Sequence, residues 1–182
     1  MSQLLRFEQV SLRRGGRMLF EALDLEIDPG DALHIAGPNG SGKSSLIRLA
    51  AGLLHAERGK VERSRLALAD DQLALDRELP LGRALRFWGA SSQSLDAMGL
   101  SQLGDVPVRL LSSGQAKRAT LARVIGSGAP LWLLDEPLNG LDHDGSARLD
   151  QLIEKHRLAG GAVVAASHLP LAGDWRTLEL GR

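Results

Sequence analysis

Apolar and polar positions alternate over residues 4–12, the period of a strand with one buried face, and alternate strictly again through Leu23-Asp24-Leu25-Glu26-Ile27. Arg14-Gly15-Gly16 between them has the composition of a turn, and Asp28-Pro29-Gly30-Asp31 marks another. A short apolar run at 32–36 opens into a glycine-rich stretch. There the period changes: Leu46, Ile47, Leu49, Ala50 and Leu53 recur at helical spacing, so 44–53 reads as a helix. Residues 59–68 read as strand material, with a strand at 65–69 leading to Gln72, and 81–98 as helical with breaks near Gly89 and Gly99. A helix with a strong start signal covers 112–125. Pro130 then precedes Leu131-Trp132-Leu133-Leu134, an apolar run suited to a buried strand. A helix over 145–159, a buried strand over 162–166 and an edge strand at 177–180 complete the pattern. Buried strands alternating with helices predict an α/β domain with a largely parallel core sheet.

A chain of 182 residues is expected to form one domain, 1–182. Twenty-two basic residues balance 22 acidic ones, so charge gives no reason to expect a nucleic acid or an anionic lipid as partner. The chain has no Cys, which excludes disulfides, thiol catalysis and cysteine metal sites and suits a reducing compartment. Its first residues are not a secretory signal, and no apolar run reaches the ~18 residues that would span a bilayer. Membrane association would have to go through a partner.

The glycine-rich stretch is Gly37-Pro38-Asn39-Gly40-Ser41-Gly42-Lys43-Ser44, followed by Ser45, and it lies between a strand and a helix, the context a phosphate-binding loop requires. Glycines let the backbone aim several N–H groups at phosphate oxygens, and the helix N-terminus adds positive potential. Lys43 is expected on the β- and γ-phosphates of ATP, with the Ser44 hydroxyl a ligand of Mg²⁺. A second signal is the apolar strand that ends in Asp135-Glu136-Pro137, putting two carboxylates where open α/β sheets bind ligands. Asp135 would hold Mg²⁺, directly or through water, and Glu136 would act as general base on the attacking water. Alone, such a strand end could be a solvated acidic turn; the phosphate loop is what gives it meaning.

The third signal is Leu111-Ser112-Ser113-Gly114-Gln115 at the start of a helix continuing Ala116-Lys117-Arg118. Ser112 alone reads as a helix cap. In this order with the other two, the segment resembles the signature motif of ABC ATPases. The resemblance runs along essentially the whole chain and implies a P-loop NTPase of the ABC ATPase type. That fold has a mixed or parallel core sheet, an N-terminal antiparallel β part and a short helical subdomain, here about 73–127. It implies that Ser112, Ser113, Gly114 and Gln115 of one copy complete the ATP site of another, so the active form would be a homodimer. It makes Gln72 a contact of Mg²⁺ or the water, His168 the histidine that bonds the γ-phosphate, and Asn139-Gly140-Leu141-Asp142 a loop crossing the dimer interface. His34, His55, His143 and His156 match no motif and read as structural or surface residues.

Two departures stand out. Many members carry an aromatic residue upstream of the phosphate loop that stacks on adenine; the corresponding segment here, Ser11-Leu12-Arg13-Arg14-Gly15-Gly16-Arg17, has none, leaving Arg14, or Phe20, as candidates. Ser113 stands where the signature commonly has Gly. No coiled-coil insertion or second nucleotide domain is expected, which argues against the DNA-repair and translation-factor branches.

Within the family, Val106-Pro107-Val108 before the signature, Trp132 inside the acidic strand and Ser167-His168-Leu169-Pro170-Leu171 resemble the ATPases of bacterial cytochrome c maturation. That implies integral-membrane permease partners, a peripheral place on the cytoplasmic face of the bacterial inner membrane, and ATP hydrolysis that powers haem handling. An ABC ATPase for another small substrate, a slow ATP-dependent regulatory switch and a small-molecule kinase are the competing readings. Glu136 and His168 speak against the switch, and the 112–115 segment, which a kinase does not need, speaks against the kinase.

Overall fold

The two alternating stretches pair as an antiparallel hairpin in the computed structural model, which describes residues 3–181. β1 (Leu5–Arg14) and β2 (Arg17–Ile27) pair from Leu5↔Ile27 to Arg14↔Arg17 around Gly15 and Gly16, with register shifts between Phe7 and Arg13. β2 starts six residues earlier than strict alternation predicts, because the hairpin pairing carries it back to the turn. β4 (Arg58–Arg63) lies along the other edge of β1, giving the order β2-β1-β4.

The strand material over 59–68 forms two strands, the second of them the strand expected at 65–69 before Gln72. β4 stays with the antiparallel sheet, and β5 (Leu66–Ala69) joins the parallel one. The chain changes sheet at Ser64-Arg65, where the Ser64 N–H closes onto the Leu4 carbonyl at 2.9 Å. Composition gives the reason: Arg-Gly-Lys-Val-Glu-Arg has only Val61 to turn inward, whereas Ala67 and Ala69 fill a buried face.

The parallel sheet has the order β5-β6-β7-β3-β8, with β3 at Ala32–Ala36, β6 at Leu131–Asp135, β7 at Ala162–Ala166 and β8 at Arg176–Glu179. Every residue of β6 and β7 is buried, as near-continuous apolar runs require when helices cover both faces. The period of two divides β6 between two cores. Leu131 and Leu133 pack with α1 (Lys43–Ala50) and the antiparallel sheet. Trp132 and Leu134 pack with α4 (Ser113–Gly126) and α5 (His143–Leu158) on the opposite face.

The 81–98 segment breaks where Gly89, at φ 82, leaves the helical region, giving α2 (Leu81–Arg86) and α3 (Ser92–Ala97). These two helices, two 3-10 turns and α4 occupy the 73–127 stretch. The sheet topology places the site: β3, β6 and β7 are neighbours and parallel, so the phosphate loop, Glu136 and His168 all leave the same C-terminal edge.

Candidate functional site

The phosphate loop is built around conformations only glycine takes easily. Gly37 has φ 143, and a Cβ there would lie 2.4 Å from the Leu180 carbonyl oxygen, so the loop can leave β3 only without a side chain. Gly42, at φ 107, starts α1 with no side-chain cap. α4 and α5, by contrast, are capped by Ser112 and Asp142. The first-turn N–H donors of α1 are thus left for a ligand, with the positive end of the helix dipole behind them. Lys43 is buried along its length, and its ammonium donates to the carbonyls of Gly37 at 2.8 Å and Pro38 at 3.1 Å. An ammonium has three donors, so one stays available for a phosphate oxygen over the loop.

Ser44 follows with an exposed side chain whose hydroxyl donates to Asp135 Oδ1 at 3.0 Å. This bond joins the start of α1 to the end of β6, two strands away across the sheet. Burial pushes the Asp135 carboxyl above its usual range, the Ser44 hydrogen bond pulls it down, and neighbouring Glu136 pushes it up again. A hydroxyl and a partly desolvated carboxylate are the hard oxygen donors Mg²⁺ takes, with phosphate and water completing its shell. Among the described residues no three His, Cys, Asp or Glu side chains gather as a metal site. The pair therefore fits a cation bound jointly with phosphates, not one held by protein alone.

Glu136 sits at φ 48, in the left-handed region that costs a non-glycine residue ~1–3 kcal/mol. Its N–H donates to the Ala166 carbonyl at 2.8 Å, which pins the turn to the end of β7. One of its carboxylate oxygens meets His168 Nδ1 at 2.8 Å and accepts from the His168 N–H at 3.4 Å. His168 itself is exposed.

A cleft of about 560 Å³ opens beside this cluster. Ser44, Asp135 and Glu136 form one wall; Ser113 and Lys117 of α4 form another, with Asp70 and Asp71 between. Lys117 has no counterpart among the expected residues. Its ammonium lies 3.5 Å from the Asp135 carbonyl oxygen. Burial pushes its pKa down, while Asp135, Asp70, Glu136 and Asp71 push it up. It stands four residues beyond Ser113, and helical periodicity would have put both on one face. Gln72 does not line the cleft. It is exposed, and its N–H turns back to Asp70 Oδ1 at 3.0 Å.

The structure does not bring Ser112, Gly114 and Gln115 to the chain's own phosphate loop. Ser112 Oγ accepts from the Gln115 N–H at 3.2 Å and the Gln115 amide oxygen accepts from the Ser112 N–H at 2.9 Å, a reciprocal cap at the start of α4. These three residues face a hollow next to Gly140 and Asp142. One turn on, Arg118 ties the segment to its surroundings, donating to Asp142, to Asp144 at 3.0 Å and to the Met98 carbonyl at 3.2 Å. On the far side of the phosphate loop, Arg14 lines a hollow over Gly42, and its guanidinium lies 3.5 Å from Ser45 Oγ. Phe20 is buried in the core instead. Of the remaining histidines, His34 contacts the Ser167 carbonyl at 3.0 Å and His156 stacks on Trp132.

Residues 20–139 match the ABC transporter family model. The cytochrome c biogenesis ATP-binding export protein CcmA of Sphingopyxis alaskensis is 54% identical over 181 residues, covering 94% of this chain and 93% of the relative. The protein of the same name from Novosphingobium aromaticivorans is 58% identical over 167 residues, covering 90% and 87%. The solved structure of an ATP-binding subunit of an ABC transporter superposes with a TM-score of 0.82 at 22% identity, covering 91% of this chain and 80% of that one, a likeness of fold. The chain belongs to the ABC transporter family and, within it, to the group of the cytochrome c biogenesis ATP-binding export proteins.

Proposed function

We propose that this chain binds and hydrolyses ATP to drive an export step of cytochrome c biogenesis, with haem or a haem-loaded carrier as the cargo. The observation that carries the reading is the cluster at one sheet edge: Lys43 in the phosphate loop, Ser44 bonded to Asp135, and Glu136 bonded to His168. Lys43 and the free N–H groups of α1 hold the phosphates. Ser44 and Asp135 are the residues to hold Mg²⁺, which supplies charge neutralisation along the phosphates when bound, and Gln72, outside the cleft here, would join them only if its loop moved inward. Glu136 takes the proton of the attacking water, and His168 fixes the carboxylate and reaches for the γ-phosphate.

Two copies close over two nucleotides, each offering Ser112, Ser113, Gly114 and Gln115 to the partner's phosphate loop. The reciprocal cap supports this, because it fixes Ser112, Gly114 and Gln115 at the surface in a hollow apart from the chain's own loop, although Ser113 lines the chain's own cleft. The likeness to cytochrome c biogenesis ATP-binding export proteins supports integral-membrane permease subunits as the partners and a peripheral place on the cytoplasmic side; no helix among the described residues is long and apolar enough to cross a membrane.

The test is co-purification of a tagged chain from detergent-solubilised membranes, with mass spectrometry of what it retains. Recovery of the permease subunits of cytochrome c assembly is expected. Recovery of another permease keeps the ATPase and sinks the cargo. ATP affinity unchanged by Lys43→Ala would sink the nucleotide site itself.

A further inference from the structure

The peptide unit between Ser167 and His168 is held at both ends. Its N–H donates to Glu136 Oε2 at 3.4 Å, the same oxygen that meets His168 Nδ1 at 2.8 Å. Its carbonyl oxygen meets Nε2 of His34 at 3.0 Å. A carbonyl only accepts, so Nε2 is the nitrogen of that ring that carries the proton. His34 lies in β3 opposite Ala165 of β7, and its ring reaches two residues further along, to Ser167. Leu33 and Ile35 on either side of it belong to the core on one face of the sheet, and Ala165 belongs to the core on the other. Packing alone would ask for an apolar side chain at 34; the imidazole adds a donor. The other polar groups of Ser167, a residue only 1% exposed, are also engaged. Its N–H donates to the Ile35 carbonyl at 3.4 Å, and its Oγ accepts from the Leu169 N–H at 3.0 Å.

From this arrangement we propose that His34 is a positioning residue for hydrolysis: its Nε2–H fixes the plane of the Ser167–His168 peptide so that the N–H of that peptide, and with it the His168 ring, faces Glu136. This rests on the reading of Glu136 as the base and adds the residue that sets its partner. A peptide plane carries its C=O and N–H in opposite directions. Turned over, it would withdraw the donor from Glu136 and set a carbonyl oxygen against the carboxylate instead. Without a donor at 34 the buried carbonyl would be left unpaired, and turning the plane is how it would find a partner. A donor on the carbonyl also polarises the N–H at the other end and strengthens its bond to the carboxylate. His34 lines neither of the clefts beside the phosphate loop, so its effect on the reaction passes through this peptide.

The experiment compares His34→Leu, His34→Gln and His34→Asn in the tagged complex from detergent-solubilised membranes, by ATP hydrolysis and by titration with a fluorescent ATP analogue. The amide nitrogen of a glutamine stands as many bonds from the backbone as Nε2 of a histidine; that of an asparagine stands one bond nearer. His34→Leu should lower kcat about tenfold, the cost of one misplaced hydrogen-bonded group, and leave ATP affinity within about twofold of wild type. His34→Gln should restore kcat to within about twofold of wild type, and His34→Asn should stay with His34→Leu. In a Glu136→Gln background no carboxylate base is left to orient, so adding His34→Leu should not slow single-turnover hydrolysis further. Wild-type kcat in His34→Leu would overturn the proposal. So would rescue by His34→Asn equal to that by His34→Gln, or the same tenfold loss in the Glu136→Gln background, which would make His34 a residue of general stability. Should His34→Leu not fold, the contrast of Gln with Asn, both polar, decides in its place. A wild-type complex that hydrolyses no ATP would sink the reading of Glu136 and this one together. Failure of His34 alone leaves wild-type turnover in place and sensitive to Glu136→Gln.

Discussion

His168 Nδ1 lies 2.8 Å from a carboxylate oxygen of Glu136, although the two residues end different strands of the parallel sheet. β6 and β7 are hydrogen-bonded neighbours, with Asp135 opposite Ala166, so one residue beyond β6 and two beyond β7 bring the acid and the imidazole together. The positive φ of Glu136 then turns its side chain over the phosphate loop, whose cleft it also lines.

A carboxylate in that place can take a proton from water, and an amide of the same shape cannot. Glu136→Gln is therefore expected to bind ATP as wild type does, to lose about 10²–10⁴ in turnover, and to accumulate a closed dimer with ATP. Steady-state hydrolysis and light scattering with and without ATP check this. Turnover at the wild-type rate would remove Glu136 as the base.

The Ser44–Asp135 bond separates metal binding from nucleotide binding. Ser44→Ala removes a hydroxyl from Asp135 and leaves the loop glycines and Lys43 in place. The Mg²⁺ concentration needed for half-maximal hydrolysis should rise about tenfold or more, as for loss of one oxygen ligand, while ATP affinity without Mg²⁺ stays the same. A matching loss of metal-free affinity would instead make Ser44 a phosphate contact.

How much of this was legible depends on what each signal measures. The buried strands at 131–134 and 162–166 were readable because a strand covered on both faces must be apolar throughout. The phosphate loop was readable because its glycines answer a local backbone demand. The strand at 65–69 is legible too, but not that β4 and β5 belong to different sheets, because they follow each other with no breaker between them and only their pairing tells them apart. Lys117 does not stand out in the sequence although its spacing from Ser113 is visible there, because a lysine on a helix is ordinarily a solvated charge. The Trp132–His156 stack joins residues 24 positions apart through the packing of α5 on β6, and no local pattern encodes it.

Arg118 makes a further expectation concrete. It is 13% exposed and donates to two aspartates and a carbonyl, joining the start of α4 to the end of α3 and the start of α5. Asp142 accepts from it while also capping α5 through the Gly145 N–H at 2.9 Å. Arg118→Met should lower Tm by about 3–6 °C and lower kcat with ATP affinity unchanged, because the phosphate loop is untouched. Arg118→Lys should recover part of each, since an ammonium cannot span both carboxylates. Differential scanning fluorimetry and a titration with fluorescent ATP separate the effects. Loss of ATP affinity in Arg118→Met would show the segment acting on its own loop.

The same kind of packing sets a pH dependence at the opposite end of the sheet. The rings of His156 and Trp132 stack with centroids 3.8 Å apart at 9°, and His156 Nε2 lies 3.1 Å from the Pro130 carbonyl. Burial pushes the His156 pKa below its ordinary value, against the smaller upward pull of the Pro130 and Ala162 backbone. The unfolded chain then binds a proton near pH 6.5 that the folded chain refuses. Stability from this site is complete above that pH and is lost as the pH falls from about 6.5 toward the depressed folded value. His156→Phe keeps a ring against Trp132 and removes the titration, so its Tm should fall less between pH 7.5 and 5.5 than that of wild type, the other four histidines being common to both. Gly161→Ala tests the packing separately: a Cβ there would lie 2.2 Å from His156 Nε2, so the ring must move off its site and Tm should drop at every pH. Identical pH slopes for wild type and His156→Phe would place the titration elsewhere.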